Sequence, residues 1–136
     1  TMLRAGEGAG LSAILANRGT VDIYNPKVIR AAMGSIFRVP VVYADDWLAA
    51  LRELSANHVS LYAAALQASV PYDSIDYPEK TAFLIGIEAA GLTAETIAMA
   101  DQSIHIPMLG QVESLNAAVS AAVLLFEAKR QRDNFS

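Results

Sequence analysis

Two segments carry the residue types from which a ligand site could be built. The first, Gly86-Ile87-Glu88-Ala89-Ala90-Gly91-Leu92, follows an apolar run and precedes a helix-period stretch. Two glycines five residues apart let backbone approach a ligand closely, and free amides near a helix start can hold polar groups. The segment lacks both the dinucleotide fingerprint and the Lys-Ser/Thr pair of a phosphate loop. An ordinary turn with a helix cap explains it equally well by itself. The second segment, residues 104–116, is more specific: a strand-like Ile104-His105-Ile106, then Pro107-Met108-Leu109-Gly110, then Gln111-Val112-Glu113-Ser114-Leu115-Asn116. Ser114 reads as an N-cap for the helix that follows. Asn116 is a poor residue for the first turn of an Ala-rich helix. His105, set between two isoleucines, reads as a satisfied core or edge histidine rather than a catalyst.

Composition narrows the chemistry. The chain has 136 residues, 54% hydrophobic and 18% charged, with net charge −4. This predicts one globular domain over 1–136, with more apolar surface than one core needs, and a subunit interface as its use. Cysteine is absent, which removes disulfides, thiolate zinc sites and cysteine nucleophiles. His58 and His105 are the two histidines and stand far apart, so no metal is expected. The acidic balance argues against a free-standing electrostatic nucleic-acid binder. No apolar run approaches the roughly 20 residues of a membrane span. The opening TMLRAGEGAG has no basic segment leading into an apolar stretch, so no signal peptide is expected. Starting at Thr1, it reads as a piece of a longer chain.

The elements that position the two segments alternate in type. Short apolar runs at 12–16, 39–43, 59–64, 81–85 and 103–106 read as strands buried on both faces. Helices are predicted over 26–37, with Asn25 as cap and Pro26 at the first helical position, and over 45–56, with Trp47, Leu48, Leu51 and Leu54 near one face. A third is predicted over 93–100, capped by Thr93, and a fourth over 114–132, ending in Lys129-Arg130-Gln131-Arg132. Residues 70–80, with Pro71, Pro78 and several acidic residues, read as a surface loop. The alternation predicts an α/β fold, a parallel sheet with helices on both faces. Ligands of such sheets bind beyond the carboxyl ends of strands, which directs attention past Ile85 and Ile106.

At this point the chain resembles the catalytic domain of the SpoU/TrmH branch of the SPOUT RNA methyltransferases. Residues 86–92 are similar to the family's second motif and residues 104–116 to its third. Thr1-Met2-Leu3-Arg4-Ala5-Gly6-Glu7-Gly8-Ala9-Gly10 resembles the end of its first motif, and residues 25–37 resemble a segment common between the first and second. Two departures stand out. The Asn that opens the first motif would lie upstream of Thr1, together with the first strand, and Ile87 stands where the family usually has Asn.

The resemblance implies a C-terminal trefoil knot whose loops hold S-adenosylmethionine, with Gly86, Ile106 and Leu115 as cofactor-binding positions and Ala65 and Leu66 as additions. It implies methyl transfer to a ribose 2′-hydroxyl of rRNA or tRNA, with Arg4, Glu88, Ser114 and Asn116 as the polar catalytic set. It also implies a homodimer working in the cytoplasm, with RNA affinity supplied mainly by an upstream domain. Arg30, Arg38 and Lys27 would add a local basic patch. Two other readings stay open. One is a non-catalytic relative that binds RNA or cofactor, motivated by Ile87 and the absent Asn; the other is a dimerisation scaffold, resting on composition alone.

Overall fold

The computed structural model describes residues 14–17, 41–86, 91–109 and 117–135. In chain order these form β1 (Ile14–Asn17), β2 (Val41–Ala44), α1 (Trp47–Ala56), β3 (Ser60–Ala64), β4 (Ser69–Pro71), a 3₁₀ turn (Tyr72–Ser74), β5 (Thr81–Leu84), α2 (Ala94–Met99), β6 (Gln102–His105) and α3 (Ala117–Phe135). β1 and β2 pair as a two-stranded sheet, and the other strands form a four-stranded sheet in the order β4-β6-β3-β5. Every described pairing is parallel, as expected. The helix expected over 26–37 lies outside the described residues.

The four-stranded sheet is apolar on both faces because alternate residues of each strand point to opposite sides. On one face Tyr62 and Ala64 of β3, Ile104 of β6 with Ile106, Phe83 of β5 with Ile85, and Val70 of β4 gather around Leu124 of α3. On the other, Leu61 and Ala63 of β3 with Ala82 and Leu84 of β5 pack against Leu51 of α1 and Ile97 of α2. Leu51, Leu61, Ile104 and Leu124 are fully buried, and each such side chain contributes about 1.5–3 kcal/mol.

Local chemistry sets the helix ends. Asp46 caps α1, its carboxylate accepting from the Ala49 amide at 3.1 Å. The chain leaves α1 through His58 in a left-handed conformation (φ 65°), which lets the Val59 amide reach back to the Leu54 carbonyl. Thr93 caps α2 as predicted; its Oγ1 accepts from the Thr96 amide and donates to the Thr96 hydroxyl.

Residues 70–80 depart from the predicted surface loop. They hold most of β4 and the 3₁₀ turn, and Val70, Tyr72, Ile75 and Tyr77 pack against the core under α3. Gln131 of α3 fastens this segment by accepting from the Tyr77 amide (2.9 Å) and donating to the Ile75 carbonyl (2.8 Å). The prolines and carboxylates mark one side of this segment, while its apolar residues, spaced between them, face inward.

The path from β3 to β4 is short. These strands flank β6 on opposite sides, yet only residues 65–68 join them. Parallel crossovers commonly use a dozen or more residues. Here a four-residue bridge passes across β6, and Ala68 within it takes φ 53°, a left-handed conformation costing a non-glycine residue about 1–2 kcal/mol.

Candidate functional site

The parallel register brings three expected positions to one edge of the sheet. Ala65 follows β3 directly, Gly86 stands two residues beyond β5, and Ile106 follows β6. These three strands are adjacent, in the order β6-β3-β5, so the three positions line the carboxyl edge side by side. From β3 the chain crosses to β4 beyond β6, returns to β5 on the other side of β3, and then crosses back to β6. That reversal is where open parallel sheets form a crevice for ligands.

Each position has a physical reason for its residue. The Ala65 amide donates to the Ile104 carbonyl at 3.1 Å, extending the β3–β6 ladder one step past the strand. Gly86 approaches the second glycine of its motif: a Cβ on Gly86 would lie 2.5 Å from the Gly91 carbonyl carbon and 2.7 Å from the Leu92 nitrogen. Gly91 has φ +72° with open space around it, so its requirement is torsional. The two glycines thus allow the backbone at 86 and at 91–92 to approach closely. Ile106 turns its side chain into the core beside Tyr62 and Leu124, leaving its backbone at the edge. Leu66 is 68% exposed and Leu109 94% exposed, so the loops past β3 and β6 both present open apolar side chains.

Leu115, Arg4, Glu88, Ser114 and Asn116 lie outside the described residues, as does Ile87. Among the described residues no group of three or more His, Cys, Asp or Glu side chains is placed to hold a metal.

His105 is paired, in line with its reading as a satisfied histidine. Its Nδ1 lies 2.8 Å from the Ser69 Oγ, which also donates to the Leu66 carbonyl at 2.6 Å. Ser69 was not among the expected site residues. Its partner stands 36 positions away, and no local pattern announces such a pairing. Two tyrosines have raised pKa values: Tyr62 through burial and then the charge of Asp101, Tyr77 through burial and then neighbouring Tyr62 and Glu127. Both belong to an aromatic cluster with Phe83.

Fold and edge together define an open parallel α/β protein with a strand-order reversal at its carboxyl edge. The profile of the SpoU rRNA Methylase family matches residues 1–126, and the chain belongs to that family. It is 40% identical over 135 residues to the 23S rRNA (guanosine(2553)-2′-O)-methyltransferase RlmP of Bacillus subtilis, covering 95% of this chain and 52% of that protein. Over 84 residues it is 48% identical to the tRNA (guanosine(18)-2′-O)-methyltransferase of Thermus thermophilus, covering 61% of this chain and 43% of that one. Among solved structures, the AdoMet-bound rRNA methyltransferase from Sinorhizobium meliloti superposes with TM-score 0.90 at 35% identity, covering 96% of this chain and 50% of the other. The SpoU methyltransferase AviRb from Streptomyces viridochromogenes superposes with TM-score 0.90 at 29% identity, covering 98% of this chain and 54% of the other. The chain spans about half the length of the curated relatives it matches.

Proposed function

We propose that this protein transfers a methyl group from S-adenosylmethionine to a ribose 2′-hydroxyl of rRNA or tRNA, working as a homodimer in the cytoplasm. The observation that carries this reading is the alignment of Ala65, Gly86 and Ile106 along the edge of β3, β5 and β6 in a chain of the SpoU family. The residues suit the cofactor. Backbone groups at these positions can read the adenine edge, and exposed Leu66 and Leu109 offer apolar walls to its faces. Leu115 completes the set. Bound there, the cofactor supplies a methyl group already activated by the positive charge of its sulfonium.

The chain must then align the hydroxyl and manage its proton. Arg4 stabilises the developing alkoxide; a guanidinium with pKa above about 12 is not itself a base. Glu88 and Ser114 orient Arg4 and the loops, and Asn116 holds the ribose or the third-motif loop. The passage of β6 beneath the 65–68 bridge supports the threaded, knotted connection proposed for the C-terminal segment. The exposed apolar residues of α3 support the homodimer.

Calorimetric titration with S-adenosylhomocysteine, followed by labelled methyl transfer to bulk RNA, tests the reading. Micromolar binding is expected, with transfer reduced about 100-fold in Arg4→Ala while binding is retained. Binding without any transfer by the wild-type chain would establish the non-catalytic alternative that Ile87 motivates. Absence of binding would remove the cofactor assignment.

A further inference from the structure

The 65–68 bridge is tied to β6 at both ends. At its start the Ala65 amide donates to the Ile104 carbonyl (3.1 Å). At its far end the Gln102 Nε2 reaches the Ala68 carbonyl (3.4 Å), and the Ser69 Oγ meets the His105 Nδ1 (2.8 Å). The Ser69 hydroxyl also closes the bridge internally, through the Leu66 carbonyl (2.6 Å). A hydroxyl has one hydrogen, and the Leu66 carbonyl can only accept. With that hydrogen directed to Leu66, the His105 Nδ1 is the donor to the Ser69 Oγ, the tautomer that the imidazole spectra below read out. The pair thus fixes both the ring tautomer and the bridge.

The position of this pair gives it a consequence. His105 stands between Ile104, whose carbonyl holds Ala65, and Ile106. Ser69 fastens the bridge that contains Ala65 and Leu66. A left-handed Ala68 strains that bridge and would relax if its ties were cut.

We infer that Ser69 and His105 form a positioning pair, which holds the Ala65–Leu66 edge against Ile106 in the geometry that S-adenosylmethionine requires. The inference rests on the cofactor reading above. Neither residue contacts the reacting atoms; they act through backbone at positions 65, 66 and 106.

The test titrates S-adenosylhomocysteine into the wild-type chain, Ser69→Ala, His105→Ala, the double variant and Ser69→Thr, with thermal midpoints measured alongside. Loss of one such hydrogen bond is expected to weaken binding about fivefold to tenfold in either alanine variant. The double variant should lose no more than the weaker single, and Ser69→Thr should restore most of the affinity because it keeps the hydroxyl. Alanine variants that bind like the wild type, or a double variant in which the two losses multiply, would overturn the pair. A second arm needs no ligand: imidazole nitrogen spectra should report an Nδ1-protonated ring in the wild-type chain and a shifted tautomer balance in Ser69→Ala, with Ala65 and Ile106 amide resonances displaced. A ring already Nε2-protonated in the wild-type chain would overturn the inference. Wild-type protein that gives the Nδ1 signature yet binds no S-adenosylhomocysteine would instead refute the cofactor reading, and the site-positioning role with it.

Discussion

Gly86 and Gly91 are both indispensable, for different reasons. Gly91 needs its positive φ, whereas Gly86 needs the absence of a side chain, because the Gly91–Leu92 backbone occupies the place of a Cβ. Spacing alone drew attention to both residues, since two glycines at this interval announce a close approach. The spacing leaves open the partner in that approach, which is the backbone of the other glycine. Gly86→Ala is accordingly expected to destabilise the fold by about 1–3 kcal/mol, as overpacking against backbone does, and to weaken S-adenosylhomocysteine binding. Gly91→Ala should cost about 1–2 kcal/mol through its torsion alone. Urea unfolding of the two variants separates them. A Gly86→Ala protein as stable as the wild type would mean that the Gly86 and Gly91–Leu92 backbones do not approach this closely.

At the scale of elements, local signals carried furthest where they matched an end or a period. The helix expected over 45–56 begins at Trp47 behind an Asp46 cap, Thr93 caps α2 as expected, and the runs at 59–64, 81–85 and 103–106 are β3, β5 and β6. The 70–80 segment carries no local sign of its order, because that order comes from α3, more than fifty residues away in sequence. Gln131 is buried and satisfies both the Tyr77 amide and the Ile75 carbonyl. Gln131→Leu would leave these groups unpaired, and a loss of about 1–3 kcal/mol is expected in urea unfolding. One turn earlier, Glu127 is buried against α3's own Arg130, whose guanidinium donates to both carboxylate oxygens. That hydrogen bonding, opposed by burial and aided by Gln131, holds the Glu127 carboxyl below the ordinary glutamate range. A depressed folded pKa means the contribution is fully present above the unfolded value and is lost as pH falls through the folded one. Glu127→Gln should therefore lower the urea midpoint at pH 7, and the gap from the wild type should narrow as pH falls below the ordinary glutamate value. A gap independent of pH would show that packing, not charge, is what the substitution removes.

For the molecule as a whole, α3 decides how the excess of apolar residues is used. Its first half, residues 117–126, is apolar but for Ser120, which fits burial on more than one face without saying which face meets what. The sheet answers half of that: Ala121, Leu124 and Ala128 are buried at i, i+3 and i+7, so this stripe lies against the core. Val119 and Phe126, seven residues apart on another side of the helix, remain 44% and 46% exposed. The exposed Leu66 and Leu109 are of a different kind, since they stand at the sheet edge where the cofactor is proposed to bind. An exposed helix stripe of this sort suits an interface between two copies, where aromatic residues carry much of the binding energy. Phe126→Glu keeps the core stripe intact and places a charge on the outer one. Sedimentation equilibrium is expected to give twice the chain mass for the wild type and a shift toward the single-chain mass for Phe126→Glu, with far-ultraviolet circular dichroism unchanged. If the variant associates as tightly as the wild type, this face of α3 is not the subunit contact.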